Sequence, residues 1–188
     1  NKLKEAYAEV IDTDSIYFYD HWGSLDSDSL LSKLRFLAVG AGVDFIFLDH
    51  ISIVISGGTN GDNERVAIDN LMTALRSLAE ETNVGLIIIS HLRRAQGDKG
   101  FENGHEVTLS HLRGSGAIAQ LSDGVIALER DQQSDDESNV GKVRILKNRY
   151  TGETGLAGAV KYFKDEGRLL DYEDYNEEGF VAETYTEF

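Results

Sequence analysis

The 188-residue sequence contains neither cysteine nor proline. Without cysteine, no disulfide framework and no thiolate zinc site can form, a composition that fits a reducing compartment. A domain of this size with no proline is unusual against ordinary usage. Long hydrophobic runs are missing too. The longest, GLIII and FIFL, are far too short to cross a bilayer, and no secretory signal pattern opens the chain. The first residue is Asn1 rather than Met, which leads us to expect a piece of a longer reading frame.

Positive charge is scarce. There are 18 Lys and Arg against 33 Asp and Glu, a net charge of −15. That balance argues against binding nucleic acid over the whole surface, while leaving room for a local basic groove. The acidity is uneven. Beyond residue 170, Asp171, Glu173, Asp174, Glu177, Glu178, Glu183 and Glu187 meet no Lys or Arg before the terminal Phe188. Residues 171–188 show neither helical nor strand periodicity and are expected to form a disordered acidic tail. Residues 1–170 are left as one domain. With 41% hydrophobic and 27% charged residues overall, the chain has the balance of a soluble globular protein with a core of its own.

The patterning predicts an α/β domain. Residues 1–11 read as the end of a helix, and IYFYD (16–20) as a buried strand. In DSLLSKLRFLAVGAG, Leu30, Leu31, Leu34, Leu37 and Ala38 form one helical stripe, with Ser27 or Asp28 as cap and Gly40 and Gly42 as stop. DFIFLDH (44–50) is a second apolar strand. After a polar loop comes a helix carrying Ile68, Leu71, Met72, Leu75 and Leu78, then the strand VGLIIISH (84–91). A long polar loop (92–107) leads to a short helix, GAIAQLS, and the strand GVIALER. Another polar loop precedes GKVRILKNRY, and residues 157–172 alternate like a hairpin turning at KDEG. Strands apolar on both faces, alternating with amphipathic helices, imply a mostly parallel sheet covered on both sides. In such sheets chemistry gathers at the carboxyl ends of the strands.

Several residues stand where chemistry is done. Asp49 closes FIFLD, where a carboxylate can hold Mg²⁺ beside a nucleotide or simply cap the next turn. His91 closes IIISH, where it can sense a phosphate or merely end a strand. Arg93, Arg94 and Lys99 follow in a glycine-containing loop, and Arg113, Gly114, Ser115 and Gly116 stand just before a helix. Glycines admit close backbone approach, and N–H groups at a helix start attract anions, so the two loops can form a phosphate-contacting groove or a solvated surface. Gln120, within that helix, can couple the groove to a nucleotide or cap the helix. In GKVRILKNRY, strand periodicity puts Val143, Ile145, Lys147 and Arg149 on one face that turns from apolar to cationic. A guanidinium so displayed has the form of an arginine finger. The alternative is a strand edge kept soluble by its charges.

LDHISIV, ISHLRR, LRGSGAIAQLSDGVIALERDQQ and ILKNRYTGETG occur in the order and rough spacing of one family. Residues 16–165 resemble the carboxyl-terminal part of DnaB-type ring helicases, most of all the helicase half of the T-odd phage helicase-primases. The resemblance implies a RecA-like fold with a carboxyl-terminal hairpin and a hexameric ring. It also implies ATP- or dTTP-driven translocation on single-stranded DNA with Mg²⁺, in the cytoplasm of a bacterium or of a phage-infected host. By motif match, Asp49 is the metal-associated acid and His91 the γ-phosphate sensor, with Gln120 as a second coupler. The resemblance further implies that Arg93, Lys99, Arg113 and Gly114 would contact the DNA backbone, that Arg149, with Lys147 beside it, would reach a neighbouring subunit's nucleotide, and that Arg130 and Tyr162 would pack around the base. The acidic tail ending in Phe188 would dock on the polymerase, or merely solubilise the chain.

One departure is large. No GxxxxGK[ST] occurs in the sequence, so the phosphate cradle is missing; the resemblance implies that the acid that activates water, which follows soon after that loop in the family, is missing too. In the resembling fold that strand lies between GLIIIS and GVIALE, and its removal leaves a gap or forces the two together. The chain alone is therefore expected to be inactive. Two other readings are another RecA-type ATPase, such as a recombinase, and a non-catalytic module that joins a ring and recruits polymerase.

Overall fold

The computed structural model describes residues 2–11, 13, 15–19, 27–52, 61–93, 100–112 and 116–172, with the backbone alone for 61–64. The core begins with helix α2 (Ser27–Arg35), continued by a π-helical turn, Phe36–Gly40. Its predicted stripe is the one used: Leu30 and Leu34 are buried, and Leu31, Leu37 and Ala38 pack against the same cluster. Gly42 ends the helical run at φ +69°, a conformation that suits glycine because it has no Cβ. Strand β1 (Phe45–Leu48) follows, then the long helix α3 (Gly61–Thr82) and strand β2 (Gly85–Ile88). Ile68, Leu71, Met72, Leu75 and Leu78 recur every three or four residues on α3, and all five are buried against Ile46, Ile51, Val84 and Ile118. Each such burial stabilises by roughly 1.5–3 kcal/mol relative to exposure, so this stripe fixes α3 on the sheet.

A 3₁₀ turn (Leu109–His111) leads to helix α4 (Gly116–Leu121), strand β3 (Gly124–Glu129) and strand β4 (Val140–Asn148). The expected hairpin closes the fold as β5 (Gly155–Phe163) and β6 (Arg168–Asp171). Helix α1 (Lys2–Val10) buries none of its residues.

The sheet is divided. β1 and β2 pair in parallel, whereas β3-β4-β5-β6 form an antiparallel sheet, so parallel pairing is confined to the first half. Among the described residues β2 pairs only with β1 and β3 only with β4, leaving the expected gap between them. Helices α2, α3 and α4 supply the core on one face. On the other, Phe45, Phe47, Ile87, Ile126 and Leu128 are exposed, Phe47 at 73% and Leu128 at 77%. The residues that read as apolar on both faces are thus covered on one by the described helices.

Two local expectations are corrected. Residues 15–19 form no strand, and Ile16, Tyr17, Phe18 and Tyr19 are exposed, because among the described residues no strand pairs with that backbone, while Asp20 lies outside them. Within the polar loop read over 92–107, residues 100–107 are described, and Val107 among them is buried. Finally, a β-bulge overturns the single face assigned to Val143, Ile145, Lys147 and Arg149. Ile145 lies opposite Ile126 and Lys147 opposite Val125, which leaves Leu146 as the extra residue. Ile126 and Val125, adjacent on β3, face opposite ways, so the bulge inverts the phase of β4. Val143 and Ile145 lie with the exposed Ile126 and Leu128, and Lys147 turns inward with Val125.

Candidate functional site: strand ends, loop roots and a cationic clamp

Parallel pairing in register brings the carboxyl ends of β1 and β2 together. Leu48 is matched with Ile88, and Ile89 N–H donates to the Leu48 carbonyl at 2.9 Å. Asp49 and His91 leave these neighbouring ends, and both are exposed. The His91 ring meets that of His50 edge to face, with centroids 4.2 Å apart. His50, adjacent to Asp49, thus ties the end of one strand to the end of the other. Sequence reasoning passed over it because a histidine after an aspartate carries no pattern of its own.

The two basic loops share a root. Leu92 and Leu112 form an isolated antiparallel bridge, and Arg93 N–H donates to the His111 carbonyl at 2.8 Å. Arg93 is exposed at this junction, while Lys99, Arg113 and Gly114 lie outside the described residues. Between the loops, residues 100–107 are fastened to the end of β3. Asn103 bridges Asp131, and Gln132 N–H donates to the Glu102 carbonyl at 2.9 Å. Glu129, 7% exposed, accepts from Val107 N–H at 2.8 Å and from Arg144 Nε at 2.9 Å. This buried carboxylate was not singled out in GVIALER, although an acid in an apolar strand signals a paired charge.

At the other end of α4 the cations of β4 close on the helix terminus. The Lys147 ammonium donates to the carbonyls of Ala119 at 2.6 Å, Gln120 at 3.1 Å and Ser122 at 2.7 Å. Those are carbonyls that a helix end leaves without intrahelical partners, and a cation there also meets the negative end of the helix dipole. Arg149 Nη2 reaches the Gln120 carbonyl at 3.3 Å, and Nη1 pairs with Asp123 at 3.0 Å. Gln120 also lines an open groove of about 370 Å³ between α3 and α4, with Arg65, Asp69 and Thr73 opposite.

Arg130 and Tyr162 occupy the far end of the antiparallel sheet. Glu129 pairs with Lys142 and Lys142 with Ala159, which puts Arg130 and Tyr162 just past the same level, both at carboxyl ends. Lys147 lies five residues along β4 from that level, roughly 17 Å at strand rise. The two base-packing candidates and the two cations are therefore not brought together within one chain. Among the described residues there is no cluster of three potential metal ligands, and Asp49 stands as a single carboxylate at a strand end.

The model of the DnaB-like helicase C terminal domain matches residues 1–167. The chain is 45% identical over 168 residues to a DNA helicase/primase of Enterobacteria phage T3, covering 89% of this chain and 29% of that protein. It is 29% identical over 161 residues to the replicative DNA helicase DnaC of Bacillus subtilis (strain 168), covering 82% and 34%. It thus spans roughly a third of the length of these relatives. A solved DnaB-like replicative helicase, described with its interactions with primase, superposes with a TM-score of 0.71 at 23% identity over 91% of this chain and 40% of that one. That likeness establishes the fold as RecA-like, and the family match establishes the lineage: the chain belongs to the DnaB-like helicase C-terminal domain family.

Proposed function

We propose that this chain is the carboxyl-terminal part of an NTP-driven hexameric helicase that moves along single-stranded DNA and unwinds duplex during replication. The observation that carries this is the placement of Asp49 and His91 just past adjoining parallel strand ends, with the root of both basic loops directly beyond His91. A nucleotide sensed there is one residue from the Leu92–Leu112 bridge, so a shift of His91 is passed to the loops.

Asp49 fits a Mg²⁺ ion held mainly by nucleotide phosphates and water, since such sites need only one or two protein carboxylates. That ion, bound with ATP or dTTP, supplies neutralisation of phosphate charge. Within the chain, Asp49 anchors the ion–nucleotide unit, His91 reads the terminal phosphate, and Gln120 links that reading to α4. Arg93, Lys99, Arg113 and Gly114 hold the DNA backbone. Arg149 serves the nucleotide of a neighbouring subunit, which its separation from Arg130 and Tyr162 supports. A finger at the opposite end of the sheet from the base-packing residues suits a site shared between subunits. The phosphate cradle comes from a part of the longer protein outside these 188 residues, and the gap between β2 and β3 is the place for its strand. The acidic tail with Phe188, outside the described residues, is proposed to dock on a basic patch of the replicative polymerase.

The test uses the full-length protein on a forked duplex. Unwinding with DNA-stimulated hydrolysis is expected, and Arg149→Ala should lose roughly 10³-fold or more in turnover while its subunits still fold. Normal turnover in Arg149→Ala removes the finger assignment. Pairing of homologous strands without unwinding replaces the helicase reading with a recombinase.

A further inference from the structure

Arg149 rests against a carboxylate, that of Asp123. Asp123, two residues beyond α4, divides its oxygens between two guanidinium groups. Oδ1 faces Arg149 Nη1 at 3.0 Å, and Oδ2 accepts from Arg76 Nη1 at 2.6 Å. The Asp123 carbonyl also accepts the backbone N–H of Arg149 at 2.8 Å, so the residue holds Arg149 by both main chain and side chain. With the Gln120 carbonyl on Nη2, the guanidinium is fixed along one edge. These contacts use two of its five N–H donors, and its side chain is 44% exposed. It is oriented, yet still has donors to offer a phosphate.

Arg76 makes the arrangement stiff. It projects from α3, its Nε bonded to Glu80 at 2.7 Å. The hydrogen bonds to Glu80 and then Asp123 raise its pKa above the ordinary arginine value, so it is a permanent cation. Asp123 thus sits between two fixed positive charges, one anchored on the longest helix and one at the end of β4. Removing its negative charge takes away the carboxylate that Arg149 and Arg76 share, leaving Arg76 with Glu80 and, among the described residues, Arg149 with no side-chain carboxylate at 3.0 Å.

From this geometry we infer that Asp123 is a positioning residue for Arg149, setting the direction in which its guanidinium is presented to a neighbouring subunit. The inference rests on the reading of Arg149 as a finger.

The experiment is a double-mutant cycle in the full-length protein, following kcat and KM for DNA-stimulated hydrolysis in the single variants Asp123→Asn and Arg149→Ala and in the double variant. Asp123→Asn is expected to lower kcat by about ten-fold with KM unchanged, well short of the roughly 10³-fold or greater loss for the finger itself. In the Arg149→Ala background it should have no further effect, because the two act as a unit. Should Asp123→Asn fail to assemble, Asp123→Glu, which keeps the charge and displaces it by a methylene, is read in the same way. A wild-type kcat in the Asp123 variant beside an inactive Arg149→Ala overturns the positioning role and leaves the finger standing. A fall of equal size in both backgrounds overturns it too, by showing a purely structural part. Normal turnover in Arg149→Ala removes both assignments together.

Discussion

His50 and His91 stand edge to face across the ends of two parallel strands, their ring centroids 4.2 Å apart. His50 Nδ1 is buried and has no hydrogen-bond partner among the described residues. The pair therefore stabilises through ring contact rather than through that nitrogen. Replacing His50 with Ala should cost about 1 kcal/mol, the scale of an aromatic pair. His50→Phe should match or exceed the parent, because it keeps a ring and removes a buried atom that lacks a partner. Urea denaturation of the chain separates these outcomes, and equal loss in both variants would mean that the nitrogen matters after all.

Glu129 offers a second test. Its carboxylate is buried and holds both the Arg144 guanidinium and the Val107 N–H. Taking away one partner of a buried ion pair leaves the other uncompensated, at about 3–5 kcal/mol. Glu129→Ala should show a loss of about that size in denaturation and should also release residues 100–107 to limited proteolysis. Glu106, exposed and 3.3 Å from Arg144, is the internal control. Its contribution belongs with surface pairs, so Glu106→Ala should change stability by less than about 1 kcal/mol.

What the sequence made legible follows from how far each signal reaches. The α3 stripe from Ile68 to Leu78 and the hairpin turning at residues 164–167 are local patterns, and both stand where periodicity and turn residues put them. The IYFYD segment was read as a strand because its residues suit one, but a strand also needs a partner, and partners are a tertiary property. The bulge at Leu146 is a register event between two chains of backbone, so strict alternation along β4 could not disclose it. Lys147 reads from the sequence as a cation displayed beside Arg149, as part of a finger or as a charge on a soluble strand edge. That its three bonds go to the carbonyls of α4 depends on a helix more than 20 residues earlier. Asp123 could have been noticed as an acid just past a helix and within reach of strand cations, a pairing that no spacing rule encodes.

Lys147 supplies a third prediction. Three carbonyls at the end of α4 accept from one ammonium, which is partly buried. Lys147→Met keeps the aliphatic stem but removes both the bonds and the charge at the helix terminus. The loss should be about 2 kcal/mol, the upper range for a cation at a partly buried helix end. Amide exchange should localise it, with protection falling in residues 116–121 and remaining in α3. A uniform fall across both helices would show that the ammonium supports the whole core rather than this terminus.

The basic loops can be tested through ions rather than affinity alone. Each cation that neutralises a DNA phosphate releases condensed counterions, and for single strands each such contact contributes about 0.7 to the slope of log K against log salt. Arg93→Ala, Lys99→Ala and Arg113→Ala should each flatten that slope by about 0.7. The loss should be similar for strands of different sequence, because phosphate contacts carry no sequence information. Arg168 is the control: it is exposed on β6, beside Glu166 at 3.7 Å, far along the sheet order from the loop root. Arg168→Ala should leave the slope unchanged. Binding of the full-length protein to labelled oligonucleotides between about 50 and about 200 mM salt gives the slopes directly. If all four variants shift them alike, the chain is attracted to DNA through its general field, and the loops lose their assignment. If only the three loop variants do, the cations rooted at Leu92 and Leu112 form the path of the strand.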